Sequence, residues 1–195
     1  MNASICGISA IVCVALFGCG KGTELKTAPP PENQVGYKSV QAQDVSIFVP
    51  DGWEPGVMGG VDVLASGLTG LDEDPTNVIG CFINIEERKI PGQPRTGLLL
   101  KKIVGGGNLE SATKTMGQTL MAYDTKEPVE LPIGPSTEFS LTRTTRGGDR
   151  IGMLIYVVSK GKDAYNIMFV SSLDQEGIKR IGKEAIQSLR IKLDN

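Results

Sequence analysis

The tightest constraint on this chain lies in its C-terminal third, where two consecutive strand-like runs are apolar on both sides. In residues 151–158, Ile151, Met153, Ile155 and Val157 share one side under period-two alternation, and Leu154, Tyr156 and Val158 share the other. In residues 164–170, Tyr165, Ile167 and Phe169 oppose Met168 and Val170. A strand with one wet side alternates apolar with polar, so a strand with no polar side must be covered on both. The chain therefore needs a central sheet with a layer on each face. Residues 159–163 turn about Gly161 and make the two runs neighbours. Residues 137–145, with Phe139 and Leu141 opposite Ser140 and Thr142, precede them across Arg146-Gly147-Gly148-Asp149. That tetrapeptide reads as a two-residue Gly-Gly hairpin, because both central positions need positive φ.

Covering layers can be read on either side of this meander. Ser172-Leu173-Asp174-Gln175 fits a capping box. It would open a helix that buries Ile178, Ile181, Ala185, Ile186 and Leu189 and exposes Lys179, Arg180, Lys183 and Glu184. Asn108 caps a second expected helix reaching about residue 122, with Leu109, Ala112, Met116 and Leu120 at helical spacing. Further upstream, Val45, Ile47 and Val49 share one side of a strand that Pro50-Asp51-Gly52 ends, and Trp53 is expected in the core. Residues 61–65 read as a short strand and 78–87 as a longer one with Ile79, Cys81, Ile83 and Ile85 on one apolar side. Residues 98–104 fit a helix or a strand, broken by Gly105-Gly106-Gly107. The expected class is α+β, an antiparallel β-sheet with helices on both faces.

The N-terminus has a different character. Every Asp, Glu, Lys and Arg lies after residue 20, and 1–18 form an apolar stretch. That stretch is short for a bilayer span but matches the apolar region of a secretory signal. Leu16-Phe17-Gly18-Cys19 resembles a bacterial lipobox, with an aliphatic residue, a small residue before the cut and a cysteine after it. The resemblance implies cleavage between Gly18 and Cys19 and lipidation of Cys19, with 1–18 the signal peptide. Residues 19–36, polar and centred on Pro29-Pro30-Pro31, read as a lipidated, Pro-rich tether, and 37–195 as the folded domain. Cys6 and Cys13 would leave with the signal, so Cys81 alone would remain as a thiol in the domain, read as a small core residue.

Chemistry is sparse. The chain has no histidine, which removes Ser-His-Asp and Cys-His catalysis and His-ligated metals. Twenty basic against 22 acidic residues, net −2, argue against a nucleic-acid binder. Asp72-Glu73-Asp74 lacks EF-hand spacing and reads as a solvated loop. Gly20-Lys21-Gly22-Thr23 resembles the end of a P-loop but follows no strand. Arg143, Arg146 and Arg150 gather at the expected hairpin tip, as contacts for an anion or an acidic partner. No catalytic residue, metal site or cofactor is assigned.

Three segments together resemble the PsbP/DcrB-like domain superfamily: the entry strand Val45-Ser46-Ile47-Phe48-Val49-Pro50-Asp51-Gly52-Trp53, the meander of 137–170, and a last strand leading through a helix to Ser188-Leu189-Arg190-Ile191. The resemblance implies an α/β/α sandwich and a non-enzymatic accessory or binding role. Bacterial members are often envelope lipoproteins. It carries over no functional residue, and the metal ligands of photosynthetic members have no matching motif here. The expectation is a lipid-anchored, periplasm-facing envelope lipoprotein that meets a membrane through its anchor and an envelope protein through its domain. Gly20 after the lipidated cysteine, in place of Asp, points to the outer rather than the inner membrane. A small-ligand carrier, using a gap between the sheet and the helix after Asn108, is the alternative. A His-free, carboxylate-based envelope hydrolase is the other.

Overall fold

Residues 36–56, 77–87, 96–144, 148 and 150–192 are described by the structure, a computed structural model. In chain order the elements are β1 (Tyr37–Ala42), β2 (Val45–Pro50), β3 (Trp53–Pro55), β4 (Val78–Asn84), β5 (Gly97–Ile103), α1 (Leu109–Leu120), β6 (Thr125–Leu131), β7 (Gly134–Thr144), β8 (Arg150–Lys160), β9 (Asp163–Ser171), α2 (Gln175–Ala185), a 3-10 turn (Ile186–Ser188) and β10 (Arg190–Ile191). Seven strands form one sheet in the order β3-β4-β5-β9-β8-β7-β6, and β1-β2-β10 form a second. All pairings are antiparallel.

The two doubly apolar runs became β8 and β9, and their two sides went where alternation sends them. Leu154, Tyr156, Val158, Tyr165, Ile167 and Phe169 share a cluster with Ile178 and Ala185 of α2 and with Val45, Ile47 and Val49 of β2. Ile151, Met153, Ile155, Val157, Met168 and Val170 share the other with Ala112, Met116 and Leu120 of α1. The molecule is mostly antiparallel sheet with two helices among the described residues. Helices of 12 and 11 residues are too small to cover seven strands, and on the side of α2 the three-stranded sheet takes part of the covering.

Local differences from the sequence reading have local causes. Residues 98–104, undecided between helix and strand, lie in β5 except for Val104, which is exposed in the turn after it; β5 sits between β4 and β9 with Leu98, Leu99 and Leu100 all buried. The first helix ends at Leu120, because Met121 turns to φ +58. Asn108 caps it as expected, its side chain accepting from Ser111 N at 2.9 Å. The last helix begins two residues later than the expected box implies, at Gln175 with Asp174 rather than Ser172 as its cap. Asp174 Oδ1 accepts from Gly177 N at 2.7 Å, while Ser171 Oγ accepts from Asp174 N at 3.0 Å. Ile85 falls beyond the end of β4 and is exposed. Trp53 is buried on β3. Thr144 pairs with Arg150, closing the β7–β8 hairpin. The expected tip lies outside the described residues apart from Gly148, which has φ +90. The expected strand at 61–65 and the acidic loop at 72–74 also lie outside them.

A groove beside the first helix

An open groove of about 700 Å³ runs between α1 and the strands β6 and β7. Its helix wall presents Thr113, Lys114 and Gly117, and its sheet wall presents Lys126 and Thr137, with Tyr123 from the link between them. The sequence creates the gap. β6 reads TKEPVEL and is exposed along most of its length, so it extends the sheet past the apolar area that α1 covers. Pro128 and the charged Lys126, Glu127 and Glu130 keep this outer strand from pairing further.

The groove has both an apolar surface and polar handles. Phe139, fully buried, meets Tyr123 edge-on, with ring centroids 5.1 Å apart at 76°. The Lys126 ammonium stands 5.8 Å from the centroid of the same Phe139 ring. Thr113 and Thr137 share a buried hydroxyl–hydroxyl hydrogen bond of 2.9 Å across the helix–sheet junction. At the C-terminal end of α1, Met121 is 76% exposed and Tyr123 is 41% exposed.

A second polar cluster lies where the two sheets meet. Asp44, in the turn between β1 and β2, accepts at Oδ2 from Lys102 Nζ and from the Tyr165 hydroxyl, each at 2.6 Å. Lys102 also lies 3.3 Å from Asp163 Oδ2, and Asp163 Oδ1 accepts from Gly105 N at 3.0 Å. Burial alone would raise the Asp44 carboxyl, but the hydrogen bonds from Lys102 and Tyr165 outweigh it and hold it below its ordinary value. The bond to Asp44 raises Lys102, and burial followed by Asp44 pushes Tyr165 up to about 12. The Gly105 amide, then Lys102, lowers Asp163. The second Asp44 oxygen is buried without a hydrogen-bond partner among the described residues. The cluster fastens the small sheet to β5 and β9.

The sequence-expected contacts are distributed differently. Arg143, on β7, turns its guanidinium to the end of α1, donating to the carbonyls of Leu120 and Ala122. The Leu120 carbonyl is a helix-end oxygen that lacks a partner within the helix, and Ala122 lies just past that end. Arg150 is exposed at the start of β8, and Arg146 lies outside the described residues, as do Gly18 and Cys19. Cys81 is buried and free, and desolvation pushes its thiol up to about 11. Among the described residues no three His, Cys, Asp or Glu side chains gather into a metal-binding group, and no helix is long and apolar enough to cross a membrane. Sequence reasoning missed Lys114, Lys126 and Tyr123, because nothing in a single sequence places α1 beside β6. It also missed the Asp44–Lys102–Tyr165 cluster, whose members are spread over more than a hundred positions.

No family model matches the chain, and no curated protein is similar to it in sequence. Solved structures are similar in fold. The cyanobacterial PsbP protein of Synechocystis matches 82% of this chain and 95% of its own length, at 11% identity and a TM-score of 0.54. The Ran-binding protein Mog1p of Saccharomyces cerevisiae matches over 81% and 96%, at 10% identity and a TM-score of 0.50. A Bacteroides thetaiotaomicron protein matches over 83% of this chain at 15% identity and a TM-score of 0.48, and the chain spans 50% of that structure. At these identities the likeness defines a fold, and the fold is PsbP-like.

Proposed function

We propose that this chain is a membrane-anchored envelope lipoprotein whose domain is a non-catalytic accessory or binding module. The observation that carries the reading is the α1–β6 groove. It offers exposed aromatic and lysine side chains on a helix-on-sheet support, with Met121 exposed at the nearby end of α1, a composition suited to recognition. A Ran-binding protein with the same fold supports a binding role over a catalytic one. The reading takes the domain as a PsbP-like α/β/α sandwich, with α1 over one sheet face and α2 over the other, held off the membrane by residues 19–36. The anchor rests on the lipobox-like Leu16-Phe17-Gly18-Cys19 and points the domain to the periplasm, on the outer membrane. The groove also favours the small-ligand reading, because it lies at the helix–sheet gap that a carrier would use.

The test uses the full chain in a bacterial host, with a photo-crosslinking residue in place of Tyr123. The expected result is detergent partition that is lost in Cys19→Ala, together with a discrete envelope adduct through position 123. Unchanged partition of Cys19→Ala would remove the lipid anchor, and absence of any adduct would remove the partner.

A further inference from the structure

The two helices carry glycines that sit against the sheet for opposite reasons. On α2, a Cβ at Gly182 would lie 2.8 Å from Leu154 Cδ2 and 3.0 Å from Phe169 Cδ2, so close approach to the sheet requires the glycine. On α1, a Cβ at Gly117 would lie 3.9 Å from Phe139 Cε1 and 3.9 Å from Tyr123 Cε1, both ordinary contacts. Gly117 has no positive φ and stands inside a helix, where glycine is less favourable than alanine by about 1 kcal/mol. Neither packing nor backbone geometry accounts for that residue. Its effect is on the groove. The missing methyl leaves a slot on the helix wall beside the Tyr123 ring, in the groove that Lys114 and Lys126 also line.

We propose that this slot is a binding site for a small amphiphilic anion, a flat apolar group carrying one carboxylate. The inference rests on the reading of the groove as the binding surface. The apolar group lies over Gly117 against the Tyr123 ring, which is partly exposed to the groove, where ring-on-ring contact and burial hold it. The carboxylate lies between Lys114 of the helix wall and Lys126 of the sheet wall. Neither ammonium is in an ion pair among the described residues, and only Glu110 opposes them in the lining. A chain of net charge −2 thus keeps a locally positive groove, which selects the anion over its neutral analogue.

The test is an amide NMR titration of the full chain with phenylpropanoate, which supplies a ring and a carboxylate. Phenylpropanol supplies the ring alone, and acetate supplies the charge alone. Phenylpropanoate is expected to shift the Thr113, Gly117 and Tyr123 signals saturably, with both controls weaker by about tenfold. Gly117→Ala is expected to melt about 2 °C higher while binding about tenfold more weakly. Lys114→Gln with Lys126→Gln is expected to bring phenylpropanoate down to the affinity of phenylpropanol. Equal binding of the neutral analogue, unchanged binding in Gly117→Ala, a lower melting temperature of that variant, or no saturable shift at the groove would each overturn the proposal. An envelope adduct through position 123 in a protein that ignores phenylpropanoate would leave the accessory role standing and remove this ligand class alone.

Discussion

Asp44 carries more than its place in a two-residue turn would suggest. It holds a lysine and a tyrosine on a single carboxylate oxygen, and both partners come from the other sheet. Side-chain exposures of 14% and 9% for Lys102 and Asp44 leave little solvent to screen the pair. Asp44→Asn is expected to destabilise the domain by about 1–3 kcal/mol in urea unfolding. The pH dependence has a definite sign. The folded carboxyl lies below its ordinary value, so its stabilisation is complete above about pH 4 and is lost as pH falls through the lowered folded value. Tyr165 works in the opposite sense, its folded value raised to about 12, so its share is present below about pH 10 and is lost as pH rises through 12. Stability of Asp44→Asn should therefore fall less steeply with acid than that of the unaltered chain. Equal acid slopes would place the acid sensitivity elsewhere.

At the scale of elements, the ends of the helices are settled by single side chains. Asp174 caps α2, and a bond of 2.7 Å to Gly177 N satisfies one of the free amides of the first turn. Asp174→Ala is expected to lose about 1 kcal/mol, read as a lower urea midpoint with unchanged slope. A variant at the unaltered midpoint would mean that Ser171, through its bonds to the Leu173 and Asp174 amides, starts the helix alone. The meander of β7, β8 and β9 was legible in the sequence because alternation assigns every side chain to a face. Asn108 was legible because an Asn before an apolar helical stripe has few other uses. β1 and β6 were not legible, because as edge strands they are mostly polar or half-exposed and carry little periodic signal. β5 was ambiguous because Leu98, Leu99 and Leu100 are apolar at every position, as suits a strand covered on both sides. The groove was legible only as a location, the gap beside the helix after Asn108. Its lysines depend on which strand lies beyond that helix.

At the scale of the whole molecule, the spacing between layers is set by the residues that permit contact. Gly182→Ala is expected to push α2 away from Leu154 and Phe169 and to destabilise the domain by about 1–3 kcal/mol, opposite in sign to Gly117→Ala. Parallel thermal melts of the two variants read this directly, and a Gly182→Ala protein that melts at or above the unaltered one would show that the α2 layer has room. The strand order has a temporal consequence as well. β5 enters the large sheet between β4 and β9, and β2 takes β10 as its second neighbour. A ribosome delivers the chain from the N-terminus, so β5 emerges with one edge open and keeps it open until β9 has been made some sixty residues later. Only Arg190 and Ile191, made about twenty residues after β9, complete the small sheet. Synthesis therefore holds the N-terminal half as an unfinished surface, and a chaperone or a transport channel that engages nascent chains meets it in that state.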